Sequence, residues 1–216
     1  MWIKICGIRD VETAVQLARC NINAIGLNFY EGSPRAITCD VASEVVRRLP
    51  TAVTAIGVFV NHTARQIAEI CGKCGIMTVQ LHGDEPVDLI LELPRQLQVI
   101  RAFRVNEAGM KEVANYLAEC RQRGANLWAC LLDARVEGQY GGTGLAAPWH
   151  VIAGQWQYEQ WPRLVLAGGL TPGNVGKAIQ TVRPFGVDVA GGVERGLGCK
   201  DAALVRDFAQ QASSAH

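Results

Sequence analysis

The sequence has no long hydrophobic run, no block of one charge sign and no low-complexity segment. No apolar stretch approaches the roughly 18 residues of a bilayer-spanning helix, so no membrane partner is expected. Lys and Arg number 21 against 20 Asp and Glu, a net charge of +1, and they are scattered along the chain. Without a basic stripe, nucleic acid is not an expected partner either. No basic region leads into an apolar one at the start, so no signal peptide is read and a cytoplasmic location is expected. No Pro/Gly-rich linker divides the chain. Its 216 residues, 49% hydrophobic, suit one compact domain over 1–216 with a large core.

Cysteine, by contrast, is plentiful: Cys6, Cys20, Cys39, Cys71, Cys74, Cys120, Cys130 and Cys199. A chain of this length needs no disulfide staples, and a reducing compartment leaves free thiols. Cys20, Cys71 and Cys120 fall near helical apolar stripes and read as packing residues. Cys71 and Cys74 form CGKC, a redox or half-zinc spacing. No second ligand pair with knuckle spacing follows, and the pair closes a helix instead of opening one, so no metal is expected. Cys6 differs from the rest, because it ends the apolar run WIKIC just before a glycine.

Short β-like runs alternate with amphipathic stretches throughout. Strands are expected at Trp2–Cys6, Ala24–Phe29, Ala52–Phe59, Met77–Leu81, Gln98–Phe103, Leu127–Asp133, Arg163–Ala167 and Gly186–Val189. Helix starts are marked by Asp10, Asp40, the Thr63/Gln66 capping box and Asp201, with Pro148 and Pro172 in first turns. The segment 86–93 is the weakest helix, and 153–162 reads as a helix end and loop. Eight strand–helix units in this length suit an α/β fold, a closed (β/α)8 barrel of the TIM type. A doubly wound open sheet is the alternative, but CGIRD is not a GxGxxG fingerprint.

Strand side chains alternate between faces, and in a barrel one face fills the interior. Lys4, Cys6, Asn28, Gln80, His82, Arg101, Asp133 and Asp188 are expected inside, with Ile100 and Ala102 against the helices. Buried ionisable groups are costly unless paired, and Lys4 with Asp188 is one candidate ion pair. Cys6 and Asp133 end their strands, where barrel active sites form.

Glycine clusters follow three strands: Gly142, Thr143 and Gly144 within GGTG, Gly168 and Gly169 within AGGL, and Gly191 and Gly192 within AGGVE. Such loops let backbone N–H groups approach a phosphate, and the loops after strands seven and eight often do so in barrels. Arg35, in the loop after the second strand, suits a bidentate carboxylate contact or is a solvated loop arginine.

In order, KICGI, GLNF with SPR, GVFVN, QLHGDE, LLDA, GGTG, LAGGLTPGNV and GVDV with GVE and KD run along the chain. Together they resemble the phosphoribosylanthranilate isomerase family of tryptophan biosynthesis. The resemblance covers essentially the whole chain. It implies a cofactor-free, metal-free Amadori rearrangement of a small phosphosugar substrate by a monomer or homodimer. It also implies Cys6 as general base, Asp133 as general acid and Arg35 on the anthranilate carboxylate. The glycine loops would hold the phosphate, with Lys4, His82 and Asp188 completing the site.

Asp133 would need burial to keep its proton near neutrality. Cys6 would need cations to lower its pKa, with Lys4, His82 and Arg101 as candidates. Two features depart from the family pattern. Ala190-Gly191-Gly192 replaces a serine-bearing loop and leaves backbone N–H groups for the phosphate, and LAAPWH follows GGTG, with Trp149 in the aromatic place. The competing readings are a neighbouring phosphate-binding barrel enzyme, a non-catalytic phosphosugar binder and a thiol redox protein built on CGKC. The pairing of Cys6 with Asp133 disfavours the first.

Overall fold

The structure is a computed structural model and describes residues 1–106, 108–133 and 148–215. Eight parallel strands close into a barrel in sequence order: β1 (Trp2–Cys6), β2 (Ala24–Asn28), β3 (Thr54–Phe59), β4 (Thr78–Leu81), β5 (Gln98–Arg104), β6 (Ala129–Asp133), β7 (Arg163–Ala167) and β8 (Gly186–Val189). The helices between and after them are α1 (Val11–Leu17), α2 (Cys39–Arg48), α3 (Ala64–Cys74), α4 (Val87–Glu92), α5 (Lys111–Arg123), α6 (Trp149–Gln155), α7 (Val175–Val182) and α8 (Ala202–Ser214). A 3-10 turn, Gly191–Val193, and a small hairpin of β9 (Glu194–Gly196) with β10 (Cys199–Lys200) separate β8 from α8. The strand bounds expected for β1, β7 and β8 are those observed. The hairpin had no counterpart in the sequence reading.

Side-chain caps start several helices. Asp10 Oδ1 accepts from the Thr13 N–H at 2.7 Å, and Asp201 Oδ1 accepts from Ala203 at 2.7 Å. Thr63 and Gln66 form the full capping box. Three expected starts are corrected. Thr38, not Asp40, caps α2, because its hydroxyl accepts from the Val41 N–H, while Asp40 in the first turn pairs with Lys73 at 2.9 Å. Pro148 stands just before α6, at the cap position. Pro172 precedes α7, which starts only after Asn174.

CGKC closes α3, and the left-handed Gly75 (φ 72°) follows it. Burial pushes the Cys71 thiol up to about 12 and the Cys74 thiol up to about 11. Both side chains pack in the layer between barrel and helices, and all eight cysteines are free thiols. Packing is therefore the reading the structure supports for this pair.

The barrel interior is layered. Trp2, Trp128 and Phe185 close its lower end, with Trp2 and Trp128 centroids 5.5 Å apart and Arg163 stacked 5.3 Å from the Trp128 ring. Above them lie Ala24, Ile56, Ile100, Ala102, Ala129, Leu131 and Val165. Higher still, Lys4 and Asp188 occupy the same face as Trp2 and Cys6.

This arrangement reverses the expected facing of β5. Ile100 and Ala102 point inward, and Arg101 points toward the helices. Its guanidinium donates to the carbonyls of Leu81 (3.1 Å) and Gly83 (3.0 Å) and stacks 5.2 Å from the Tyr116 ring of α5. Glu85 lies 3.4 Å away. Those partners engage both Nη groups of a buried cation that the apolar interior layer could not hold, while Nε has no hydrogen-bond partner among the described residues.

The loops after β7 and β8 touch through Gly192, where a Cβ would overlap the Leu170 carbonyl oxygen. Backbone cannot yield as a flexible side chain does. Gly192→Ala is therefore expected to cost about 2 kcal/mol and lower Tm by about 4–8 °C, read by thermal unfolding.

Candidate active site at the barrel mouth

β1 places Lys4 and Cys6 on the interior face, two residues apart. After Cys6 the chain turns through Gly7, whose φ of 83° favours glycine. The N–H groups of Gly7 and Ile8 both donate to the Gly26 carbonyl, at 2.9 and 3.0 Å. Gly26 itself faces the site. A Cβ there would lie 2.7 Å from Cys6 Sγ and 3.2 Å from Lys4 Nζ. The absence of a side chain on β2 is what lets a thiol and an ammonium sit side by side.

Lys4 Nζ donates to Asp188 Oδ2 at 2.9 Å, the ion pair anticipated from the sequence. Lys4 is completely buried. Burial disfavours its charge, but Asp188 and Cys6 outweigh that effect and raise its pKa, so it stays an ammonium. Cys6 does not follow expectation. Burial pushes its thiol up, and Asp188 adds to the rise; Lys4 and Lys200 offset it only in part.

Of the other cations expected beside Cys6, Arg101 lies on the opposite face of the barrel wall. His82 is not a cation near neutrality, because burial lowers its pKa against the opposing pull of Asp133. Its Nδ1 lies 2.7 Å from Gln80 Nε2, so the two inward residues of this strand end are joined.

The loop after β2 is built by Asn28. Its Oδ1 accepts from the Tyr30 N–H at 2.9 Å, and its Nδ2 donates to Ser33 Oγ at 3.0 Å. Ser33 Oγ in turn accepts from the Arg35 N–H at 3.1 Å. The Arg35 stem runs over Gly7, where a Cβ would collide with it.

The guanidinium of Arg35 is not a solvated loop charge. Nε donates to Glu194 Oε1 and Nη2 to Glu194 Oε2, both at 2.7 Å. Lys200 Nζ donates to the same Glu194 Oε1 at 2.7 Å and to the Ala190 carbonyl at 3.0 Å. Burial opposes ionisation of Glu194, but the hydrogen bonds from Arg35 and Lys200 prevail and pull its carboxyl down to about 2. Burial lowers the Lys200 pKa, with Glu194 opposing. Glu194, Lys200 and Gly26 were not singled out as site residues in the sequence. The signal was there for two of them, as GVE and KD flank a glycine-rich turn.

Asp133 ends β6 on the interior face, and its charge reaches His82. Gly168 (φ 93°) and Gly169 (φ 62°) follow β7 in the left-handed region. Asn174 braces their loop, accepting from the Thr171 N–H at 2.8 Å and donating to the Gly169 carbonyl at 3.0 Å. Gly191 and Gly192 form the 3-10 turn after β8. Gly142, Thr143 and Gly144 lie outside the described residues. The structure thus brings Lys4, Cys6 and Asp188 together, sets His82 and Asp133 at the same mouth, and places Arg35 beside the turn after β8.

The sequence model of the N-(5'phosphoribosyl)anthranilate (PRA) isomerase family matches residues 3–211. The chain belongs to this isomerase family. Among its relatives, N-(5'-phosphoribosyl)anthranilate isomerase of Pseudomonas aeruginosa LESB58 is 43% identical, over 95% of this chain and 92% of the relative. The enzyme of that name from Geobacter metallireducens is 38% identical over 98% of both chains. The PRA isomerase of Thermotoga maritima superposes with a TM-score of 0.87 at 35% identity, covering 99% of both chains. Another solved PRA isomerase, in complex with reduced 1-(o-carboxyphenylamino)-1-deoxyribulose 5-phosphate, has a TM-score of 0.84 at 32% identity, again covering 99% of both chains.

Two outcomes follow from the electrostatics. Because the Cys6 thiol lies above its ordinary value in the free protein, its alkylation by iodoacetamide should be slow at pH 7 and should rise steeply at alkaline pH, followed on the Cys6 peptide by mass spectrometry. The stability contributed by ionised Glu194 is present above its ordinary value of 4.5 and is lost as the pH falls toward about 2. Glu194→Gln should therefore lose less stability than the wild type between those values, read from urea midpoints.

Proposed function

We infer that this protein catalyses the Amadori rearrangement of N-(5-phosphoribosyl)anthranilate to 1-(o-carboxyphenylamino)-1-deoxyribulose 5-phosphate, a step of tryptophan biosynthesis. Family membership over nearly the whole chain carries the reaction. The thiol of Cys6 beside the buried ammonium of Lys4 supports the assignment of the base. The reaction is an isomerisation with no net oxidation, so acid–base groups suffice.

Asp133 gives a proton to the furanose ring oxygen, the ring C–O bond breaks, and the nitrogen lone pair forms a protonated Schiff base at C1′. That cation acidifies the hydrogen on C2′. Cys6 removes it as thiolate, leaving an enolamine that tautomerises to the aminoketose. The resting thiol, partly exposed at the mouth, must first lose its own proton to solvent water. Lys4, buried and fixed against Asp188, gives the resulting thiolate a counter-charge already in place.

Substrate anchoring rests on the two ends of the molecule. Backbone N–H groups of Gly168, Gly169, Gly191 and Gly192, with the GGTG segment, would take the phosphate. Arg35 would take the aryl carboxylate. A small phosphosugar is thus the partner. Among the described residues no helix is long and apolar enough to cross a membrane. Holding both ends fixes C2′ against the thiol and the ring oxygen against the acid.

The test is the decay of substrate fluorescence with freshly made phosphoribosylanthranilate, without added metal or cofactor. Wild-type turnover should far exceed spontaneous decay, and Cys6→Ala and Asp133→Asn should each lower kcat by about 10²–10⁴-fold. Wild-type turnover no faster than spontaneous decay would overturn the function. Unimpaired turnover by either variant would overturn the role given to that residue.

A further inference from the structure

A guanidinium can bind a carboxylate along two different edges, one formed by Nε with an Nη and one formed by the two Nη groups. Glu194 occupies the first edge of Arg35, through Nε and Nη2. Nη1 and the second hydrogen of Nη2 remain uncommitted to Glu194. A second carboxylate can therefore meet Arg35 without displacing the first.

Charge points the same way. An Arg35–Glu194 pair alone is neutral and a poor receptor for an anion. Lys200 changes this. Its ammonium, with 1% of the side chain exposed, is bound to Glu194 Oε1, and the Glu194 side chain is only 5% exposed. The three groups together keep one net positive charge. The guanidinium also sits beside the turn after β8, since a Cβ on Gly191 would lie 3.6 Å from Arg35 Nη2. Lys200 is tied to that same turn through the Ala190 carbonyl. A flexible arginine is thereby fixed in one orientation before any ligand arrives, which removes an ordering cost from binding.

We propose that Glu194 and Lys200 are positioning residues that aim the free edge of Arg35 at the aryl carboxylate, and that they set the preference of the site for a carboxylate-bearing aminoaldose. The hairpin of β9 and β10 carries both residues and serves as the brace. This inference rests on the function proposed above.

The experiment uses two dead-end ligands: the reduced product analogue, 1-(o-carboxyphenylamino)-1-deoxyribulose 5-phosphate with its carbonyl reduced, and its phenyl counterpart without the carboxylate. Dissociation constants are measured by fluorescence titration for the wild type, Glu194→Gln, Lys200→Met, Arg35→Ala and the Arg35→Ala/Glu194→Gln double variant. Glu194→Gln should weaken the carboxylate ligand by about 10–100-fold. Its effect on the phenyl ligand should be smaller by about tenfold or more, and it should add little once Arg35 is gone. Lys200→Met should show the same selectivity, and it carries the test if circular dichroism finds Glu194→Gln unfolded. Equal weakening of both ligands, additive losses in the double variant, or tighter binding of the carboxylate ligand by Glu194→Gln would each overturn the proposal alone. Failure of the wild type to bind either ligand would overturn the proposed function and this inference with it.

Discussion

Lys4 and Asp188 face each other across the seam where β1 meets β8 and the barrel closes. Their ion pair lies in the interior, with Lys4 fully buried. Removing one partner of such a pair leaves an uncompensated charge, at a cost of about 3–5 kcal/mol. The barrel therefore cannot be thought of as an inert holder for the site. The charge that offsets the burial of Cys6 is the same charge that must be satisfied for the ring of strands to stay shut. Two residues further along β1, the thiol inherits a fixed electrostatic surrounding from the fold itself.

Space is the second constraint. At three glycines of the mouth, neighbouring atoms occupy the space that a Cβ would contest. Gly26 makes room for the thiol and the ammonium, Gly7 for the stem of Arg35, and Gly192 for the Leu170 carbonyl. Only at Gly7 does the backbone conformation also ask for glycine. At Gly26 and Gly192 the requirement is purely steric, and a strand glycine of that kind weakens its strand to serve the site.

Much of the fold was legible because strand and helix periods alternate cleanly, and because Cys6, Asp133 and Asp188 stand where apolar alternation breaks. The facing of β5 was not. Its segment QVIRAFR carries apolar residues on both faces, so alternation could not rank Ile100 against Val99. The answer lay in Tyr116 and Glu85, which are distant in sequence. The raised pKa of Cys6 was not legible for a related reason. Sequence shows which charges exist, but the depth of burial that outweighs them is a property of the packed barrel. Glu194 was visible as part of a motif, yet its partner, Arg35, is 159 residues away, beyond any local pattern.

That long separation ties ligand binding to closure of the barrel. The grip on Arg35 is assembled from a loop near the start of the chain and a hairpin near its end. It joins chain segments that meet where β8 pairs with β1. A ligand that uses Arg35 therefore binds only the finished ring and, by mass action, stabilises that ring against opening at its seam. Recognition of the small molecule doubles as a clasp between the two ends of the chain.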